Sequence, residues 1–526
     1  MAELRYPIGI QTFSKLIEGG YTYVDKTGFI PLLLKNDQYI FLSRPRRFGK
    51  SLLLSTLEAY FEGRRDLFKG LALYDMDVDW EPSPVFHFDF NAGVYDSPDG
   101  LLTRLHGSLE RFEKRYGVKT YSKNRSEIPV RFENLIETAY KVTGRRVVIL
   151  VDEYDKPLLG LEENKGIFEE NQRLLKSFFG CMKSSDSYIR FAFLTGVARF
   201  NKVSIFSDLN NLEDISMDPQ YADICGWSEE ELIKIFHSGI EALAVAREED
   251  YASTLGALRE YYDGYLFASG GSRLYNPFSV LRALKVKEIE SFWFATGTPT
   301  FLAKRVKTMG VYPPEINGTK CFKEELMAVG FDDSNPMPLM FQTGYLTIGS
   351  YDKKTQIYEL RFPNREVEIG FYKFLLPIYA PATVKIGSPF SFPKFMMDLN
   401  DGRPEEFMKR LATLLKDLPG EDHCESTYRA ITYLISVLCG TRAIAEHHGY
   451  KGRSDIEVAT EGYVYIFEFK YNKSVDEAME QIYSRDYAGR YALDSRPVYL
   501  IGANYEEKRE KRGLSYRIEE MVKAKL

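Results

Sequence analysis

The stretch GRSDIEVATEGYVYIFEFKYN (452–472) contains two strand-like runs separated by the pair EG. This pattern predicts a β-hairpin with a two-residue turn. If Thr460 pairs with Tyr463 across the turn, Asp455 lies opposite Glu468, and opposed residues point to the same face of a sheet. The hairpin therefore brings together two carboxylates that are distant in sequence.

A lysine shares this face, because Lys470 lies two positions beyond Glu468. Asp455 and Glu468, with the carbonyl of Phe469 and waters, suit Mg²⁺, which prefers oxygen ligands. Such a metal can lower the pKa of a bound water, and Lys470 can neutralise charge in a transition state. A solvated hairpin face with a cross-strand ion pair is the alternative. Glu457 falls on the same face without a role in this pattern.

Helix and strand patterns flank the hairpin. The segment ESTYRAITYLISVLC (425–439) predicts a helix that opens with Glu425, and a helix after the hairpin contains Gln481. The segment PVYLIGANY (497–505) predicts a last strand. The resulting order, one helix, three strands, a helix and a strand, resembles the core of the PD-(D/E)XK nucleases.

A second motif lies in YIFLSRPRRFGKS (39–51), where an apolar strand runs into a turn and then into a helical pattern. In a phosphate-binding loop, or Walker A motif, amides wrap the phosphates, a lysine reaches them and a hydroxyl binds Mg²⁺. The residues in these places are Arg47, Phe48, Gly49, Lys50 and Ser51. The general pattern has a glycine where this sequence has Arg44, and a basic turn that caps a helix is the alternative.

The segment VVILVDEYDK (147–156) is a buried-strand pattern that ends in acids, as in a Walker B motif. At the end of such a strand Asp152 would hold Mg²⁺ and Glu153 would orient the attacking water. Two further runs, 85–90 and 189–196, predict a parallel sheet that alternates with helices. Both motifs in this order predict ATP binding.

The whole chain resembles AAA-ATPase-like proteins that are fused to a C-terminal PD-(D/E)XK nuclease domain. The segments that carry the resemblance are YVDKT (23–27), RPRRFGKS (44–51), LVDEYDKP (150–157), LTGVARF (194–200) and YNPFSVL (275–281). The resemblance implies sensor positions near the γ-phosphate for Thr195 and Arg199, although a surface salt bridge is an equal alternative for Arg199.

The resemblance also assigns the C-terminal residues. It makes Glu425 the acid of the first helix and Gln481 the polar residue of the later one. It makes Asp455 the aspartate of the PD motif, with Ser454 in place of the proline. Glu468 and Lys470 correspond to the ExK pair of the family.

Composition limits the partners and the compartment. The formal charge of −6 argues against a surface that is basic all over, although a local basic patch could still hold nucleic acid. Five widely spaced cysteines without a CxxC pair support neither disulfides nor structural zinc. No apolar run is long enough for a membrane span, and the start MAELRYPIGIQTF lacks a secretory pattern, so we expect a cytoplasmic protein without a membrane partner.

The sequence predicts an α/β fold with a P-loop NTPase domain, a winged-helix-like segment and a restriction-endonuclease-like domain. The predicted ranges are 1–220 for the P-loop domain, 221–310 for a helical lid, 311–376 for the winged-helix-like segment, 377–400 for a proline-rich linker and 401–526 for the nuclease-like domain. The winged-helix-like segment lacks a dense basic recognition helix, which argues against DNA contact there.

The predicted function is that of an ATP-binding, ATP-gated nuclease with ATP and Mg²⁺ as cofactors. DNA is favoured over RNA as the substrate, and a homo-oligomer is left open. The alternative is a nucleotide-dependent switch, or a binding module for nucleic acid or protein, in which the nuclease fold does not cleave.

Overall fold

The protein folds into two compact units in a computed structural model. The structure describes residues 4–521 except 37, 98, 120–123, 162–163, 200–204, 207–208, 210, 295–299, 328–334, 385–390, 417, 419–424, 440–441, 450–451 and 509–510. The first unit contains Met1–Gly297 and Gly318–Val367, and the second contains Thr298–Asn317 and Glu368–Leu526. Among the described helices, none has an apolar stretch long enough to span a bilayer.

The described residues form strands and α-helices along the whole chain, and the two alternate in its first half. The strands are β1 (Tyr39–Ser43), β2 (Val85–Asp89), β3 (Val147–Asp152), β4 (Ile189–Gly196), β5 (Leu212–Asp214), β6 (Thr319–Phe322), β7 (Thr347–Asp352), β8 (Ile357–Arg361), β9 (Arg442–Gly449), β10 (Gly452–Ala459), β11 (Val464–Tyr471), β12 (Val498–Lys508) and β13 (Lys511–Glu520). The helices are α1 (Phe13–Glu18), α2 (Ile30–Asn36), α3 (Lys50–Phe61), α4 (Gly100–Tyr116), α5 (Ile128–Thr143), α6 (Lys165–Ser184), α7 (Glu229–Arg247), α8 (Tyr251–Tyr262), α9 (Pro277–Val286), α10 (Thr300–Thr308), α11 (Lys323–Met327), α12 (Met337–Thr343), α13 (Arg365–Tyr379), α14 (Phe392–Asn400), α15 (Pro404–Lys416), α16 (Glu425–Leu438) and α17 (Val475–Ser484).

The first unit is built on a parallel sheet with the strand order β2-β3-β4-β1-β5. Strand β3 is buried along its whole length, as its unbroken apolar run predicted. Strands β1 and β3 both flank β4, and parallel strands end at one edge of a sheet. The loop after β1 and the acids after β3 therefore lie at the same edge, which is where α/β sheets bind ligands.

Helices α7 to α9 form the part predicted as a lid. Helix α7 begins with a capping box, in which Ser228 and Glu231 bind each other's backbone N–H groups. The side chain of Asn276 caps α9 by accepting hydrogen bonds from two backbone N–H groups, and Pro277 occupies the first turn. These helices pack around a buried core that includes Trp227 and Phe236.

A small antiparallel sheet follows, with the order β6-β8-β7. Helix α12 ends at Thr343 and leads into the hairpin of β7 and β8. A helix followed by a hairpin is compatible with the winged-helix-like segment predicted over 311–376, which remains a prediction.

The second unit is built on a mixed sheet with the order β13-β12-β11-β10-β9. Strands β9, β10 and β11 are antiparallel neighbours, whereas β11 and β12 run parallel. One face packs on α17 through a core that includes Ile466 and Met479. On the other face Phe467 packs against Phe407 of α15, with ring centroids 5.9 Å apart. The predicted order is confirmed as α16, β9, β10, β11, α17 and β12.

The boundaries of the two units differ from the predicted domain boundaries. Residues 298–310, predicted in the lid, and 311–317, predicted in the winged-helix-like segment, group with the second unit. Helix α13 begins in the first unit and ends in the second, and α14 lies inside the range predicted as linker. The five-part division remains a prediction.

Candidate functional site

The hairpin of β10 and β11 has the register that the sequence predicted. Ile456 pairs with Phe467, so the next pair outward is Asp455 with Glu468. Lys470 follows on the same face as Glu468. The structure thus places the three predicted residues on one face of the hairpin.

Direct contacts join this hairpin to α17. The ammonium of Lys470 donates to Glu468 Oε1 over 2.7 Å and to Gln481 Oε1 over 2.8 Å. Gln481 in turn donates from its Nε2 to the hydroxyl of Tyr487 over 3.0 Å, which fixes the orientation of the amide. We call Asp455, Glu468, Lys470 and Gln481 the carboxylate cluster.

Asp455 uses its two oxygens differently. Its Oδ2 accepts a hydrogen bond from the backbone N–H of Phe469 over 2.8 Å. Its Oδ1 lies 3.1 Å from Nη2 of Arg429, a residue of α16 that the sequence reasoning missed. Glu425 lies one turn earlier, 3.9 Å from the same guanidinium, and its side chain is 40% exposed. The signal for Arg429 was its position four residues after Glu425, on the same helix face.

Burial raises the pKa of both carboxylates. Burial raises the pKa of Glu468 to about 7, with a further contribution from the charge of Asp455, while Lys470 opposes the shift. Burial also raises the pKa of Asp455, against the opposing effect of Arg429. An additional positive charge near either carboxylate would therefore stabilise its ionised form.

The donor set fits a hard divalent cation. The Oε2 atom of Glu468 is buried and receives no hydrogen bond from the described part of the chain. Within that part no group of three or more His, Cys, Asp or Glu side chains is placed to hold a metal. Two carboxylates with a carbonyl and waters are a sparse set, which suits Mg²⁺ because it keeps several waters.

The unexplained Glu457 has structural partners. Its carboxylate accepts hydrogen bonds from the hydroxyls of Ser454 over 2.5 Å and Tyr491 over 2.9 Å. It also forms an ion pair with Arg490. These contacts account for the buried charge without a role in a metal site.

In the first unit, residues 44–51 form the turn between β1 and α3, which we call the phosphate loop. Arg47 and Gly49 have the positive φ angles of 70° and 94° that the turn requires. Lys50 is buried, and its ammonium donates to the carbonyls of Arg44 over 2.8 Å and Pro45 over 3.0 Å. The lysine is thus held by the backbone of its own loop.

Arg44 replaces the first glycine of the general pattern without strain, because its φ is not positive. Its buried guanidinium donates to the carbonyls of Ser43, Ser216 and Tyr221, and lies 4.3 Å from the ring centre of Phe267. Burial lowers the pKa of Arg44 to about 10. The side chain therefore anchors the loop.

A cavity of about 290 Å³ opens beside the phosphate loop. It is lined by residues 47–51 together with Glu153. The lining also contains the aromatic residues Tyr23, Trp227 and Phe278 and polar residues such as Lys26. A pocket that combines the N-terminus of a helix with aromatic rings has the chemistry of a nucleotide site.

The residues predicted as a Walker B motif lie near this loop. Thr195 at the end of β4 donates to Asp152 Oδ1 over 2.8 Å. Glu153 has a positive φ of 51° and lines the cavity. Burial lowers the pKa of Lys50, and the charges of Glu153 and Asp152 oppose that shift, so these groups lie within electrostatic range of each other.

Arg199 has a different environment from these residues. Its guanidinium forms a buried ion pair with Asp214 at the end of β5, and its backbone N–H donates to Gln342 over 2.6 Å. It lines a smaller cavity with Ser43 and Arg44 and is not among the residues around the cavity beside Lys50. Its sensor role remains a prediction that requires this ion pair to open.

Asp155 is a further buried acid that the sequence reasoning passed over, although it stands in the same VDEYDK run. It accepts hydrogen bonds from the backbone N–H groups of Val197 over 2.9 Å and Ala198 over 2.6 Å. Burial raises its pKa to about 6. A side chain at Gly196 would come within 2.8 Å of Asp155 Oδ1, so this acid fixes the loop that follows Thr195.

Comparison with known proteins identifies two domains in the chain. A family model described as "Predicted AAA-ATPase" matches residues 7–206, and one described as "PD-(D/E)XK nuclease superfamily" matches residues 423–513. A protein of Azotobacter chroococcum mcd 1, described as "Uncharacterized protein in vnfD 5'region", is 35% identical over 517 residues, which cover 96% of this chain and 97% of the relative. The chain therefore belongs to the family of AAA-ATPase-like proteins with a C-terminal PD-(D/E)XK nuclease-superfamily domain.

Proposed function

We propose that the protein is an ATP-gated, Mg²⁺-dependent nuclease that cleaves phosphodiester bonds, with DNA favoured over RNA. The observation that carries the proposal is the buried Oε2 of Glu468, which has no hydrogen-bond partner among the described residues and belongs to a cluster with Asp455 and Lys470. An unpaired buried carboxylate oxygen is destabilising, and a divalent cation at this oxygen would remove that cost. A cytoplasmic location and a homo-oligomer remain predictions.

Each residue of the carboxylate cluster has a role in this proposal. Asp455 and Glu468 hold Mg²⁺, which supplies a bound water of lowered pKa when present. Lys470 points its ammonium at the charge that develops on the attacked phosphate. Gln481 keeps Lys470 in place through the 2.8 Å hydrogen bond. Glu425, at the exposed edge, assists as a second acid.

The phosphate loop binds ATP in the proposed cycle. Lys50 exchanges the carbonyls of Arg44 and Pro45 for the terminal phosphates, and the amides of residues 47–51 contact them. Ser51 and Asp152 hold the Mg²⁺ of the nucleotide, and Glu153 orients the attacking water. Thr195 keeps Asp152 in position through its hydrogen bond.

One contact in the first unit supports the gating. The indole N–H of Trp293 donates to the carbonyl of Arg46 in the phosphate loop over 3.2 Å, and the backbone N–H of Trp293 donates to Glu366 over 2.6 Å. Glu366 lies in the first turn of α13, the helix that continues into the second unit. A loop that shifts on nucleotide binding would therefore pull on the residues where the chain leaves the first unit.

The nuclease activity is tested with the full-length protein, Mg²⁺ or Mn²⁺, and plasmid, linear duplex or RNA, each with and without ATP. We expect metal-dependent cleavage of DNA, reduced at least about 100-fold in Asp455→Asn and in Lys470→Met. The exposed turn residue Glu461 provides the control variant Glu461→Gln, which should cleave normally. Cleavage that persists in a double Asp455→Ala and Lys470→Ala variant contradicts the proposal, and binding without any cleavage supports the non-cleaving module instead.

The gating is tested with Trp293→Phe, which keeps an aromatic ring and removes the indole N–H. We expect ATP to bind within a few-fold of the wild-type affinity while its effect on cleavage falls. The matched control is Trp80→Phe in the same unit, because the Trp80 indole N–H is buried without a partner in the described residues. An unchanged response to ATP in Trp293→Phe contradicts this route of coupling.

A further inference from the structure

Arg429 adds a second cation to the carboxylate cluster, because its mostly buried side chain contacts Asp455, a proposed metal ligand. Its side chain is 17% exposed, and its Nη2 atom lies 3.1 Å from Asp455 Oδ1. The guanidinium also lies 5.4 Å from the ring centre of Tyr312, whose face favours a cation. With Lys470 on Glu468, each carboxylate of the pair already faces one cation.

The contact falls on the oxygen that a metal would need. Asp455 Oδ2 accepts a hydrogen bond from the backbone N–H of Phe469 at 2.8 Å, whereas the partner of Oδ1 is a side chain that can move away to admit a metal. Oδ1 is the atom that Arg429 contacts. A guanidinium and a divalent cation are therefore alternatives at one carboxylate oxygen.

Charge balance adds a second consequence. With Glu425 included, three carboxylates face the two cations Arg429 and Lys470, and a divalent cation still leaves an excess of positive charge in a partly buried site. A phosphodiester group carries the negative charge that would offset this excess. Glu425, 3.9 Å from Arg429 and 40% exposed, marks the side of the cluster that is open to solvent.

We propose that Arg429 forms its ion pair with Asp455 in the metal-free protein and releases Asp455 when the metal binds. Arg429 then contacts the phosphate of the nucleic acid. Metal and nucleic acid consequently bind cooperatively, and the free protein holds its metal weakly. The inference rests on the proposed nuclease function and adds a phosphate-binding residue to that site.

The test measures Mn²⁺ binding to the full-length protein by electron paramagnetic resonance, with and without a duplex oligonucleotide and without ATP. In the wild type we expect DNA to tighten Mn²⁺ binding by about tenfold, within the range of coupled binding. In Arg429→Gln we expect tighter Mn²⁺ binding without DNA and little further effect of DNA. The control Arg517→Gln removes an equal charge from a half-exposed site on β13 and should behave as the wild type.

Two further variants separate the outcomes. Arg429→Lys keeps the charge, and we expect it to retain part of the coupling; this shows that a change in Arg429→Gln is not a loss of folding. If Asp455→Asn leaves Mn²⁺ binding unchanged, the metal site of the proposed function is wrong. If Asp455→Asn abolishes Mn²⁺ binding but Arg429→Gln binds Mn²⁺ and DNA as the wild type does, the inference about Arg429 is overturned and the proposed function stands.

Discussion

The phosphate loop and the carboxylate cluster hold their buried charges by different means. In the loop, Lys50 is held by carbonyls of residues five and six positions earlier in the chain. In the cluster, Lys470 is held by a side chain of its own strand and by Gln481 of α17, and Asp455 by Arg429 of α16. The contacts of Lys50 are a property of one short segment, whereas those of Lys470 and Asp455 exist only while two helices keep their distance from a sheet.

A substitution in the phosphate loop should therefore weaken nucleotide binding without changing metal binding at the carboxylate cluster. In Lys50→Ala we expect the affinity for ATP to fall by about 100-fold, the upper end for losing hydrogen bonds to a charged group. Mn²⁺ binding at Asp455 should not change. A fluorescent ATP analogue and Mn²⁺ titrations measure the two affinities.

Lys183→Ala is the matched control for this variant, because Lys183 is exposed at the end of α6. It should leave both affinities unchanged. Nucleotide binding that is equally strong in Lys50→Ala would refute the phosphate-loop role. A loss of Mn²⁺ binding in Lys50→Ala would break the contrast between a local and an assembled site.

The cluster should be damaged by a change in packing that touches none of its residues. A Cβ at Gly502 of β12 would lie 2.7 Å from the Met479 sulfur and 3.1 Å from the Met479 backbone nitrogen, so α17 must shift. We expect Gly502→Ala to lower the free energy of unfolding by about 2 kcal/mol, as overpacking does. Cleavage should fall about tenfold, because Gln481 moves away from Lys470.

Gly462→Ala is the control for this variant, since a Cβ at Gly462 meets no atom of the described residues within 4 Å. Chemical denaturation and initial cleavage rates measure both effects. Normal cleavage by a folded Gly502→Ala protein would show that the position of α17 does not set the activity of Lys470.

The smallest expected effect concerns Glu366, which lies between the loop and the exit of the chain from the first unit. Burial raises its pKa to about 7 from the ordinary 4.5. The folded state therefore binds a proton more tightly than the unfolded state, and stability is highest below pH 4.5 and declines as the pH rises to about 7.

Glu366→Gln should remove this dependence and keep the contacts. The amide oxygen can still accept from the N–H groups of Phe292 and Trp293, and the amide nitrogen can donate to the Ser279 hydroxyl. Above pH 7 we expect the melting temperature of Glu366→Gln to exceed that of the wild type by about 4 °C. Parallel melting curves of the two proteins between pH 5 and pH 8 would contradict the burial of a titrating carboxyl group.

Much of both sites was predictable from local sequence. The hairpin register followed from the two-residue turn and alternation, and it correctly paired Asp455 with Glu468. The strand before Asp152 followed from its unbroken apolar run. Each of these features depends on hydrogen bonds between residues that are near in sequence or on a period of two, and both can be read along the chain.

Other features escaped because their cause lies far away in the chain. Arg44 was read as a departure from a glycine pattern, but its guanidinium is held by the carbonyls of Ser216 and Tyr221. For Arg199 a sensor position and a surface salt bridge were equal alternatives, and the structure pairs it with Asp214 in a buried ion pair. Nothing in the neighbouring residues encodes these partners.

The sequence by itself therefore determined the two motifs, the strands and helices that carry them, and the face of the hairpin on which Asp455, Glu468 and Lys470 lie. Only the tertiary structure decided which cation each carboxylate meets, that Glu468 Oε2 has no hydrogen-bond partner among the described residues, and that residues 298–317 belong with the second unit. The reason is physical: backbone hydrogen bonding and side-chain periodicity act between neighbours, whereas burial and charge pairing depend on segments that only folding brings together.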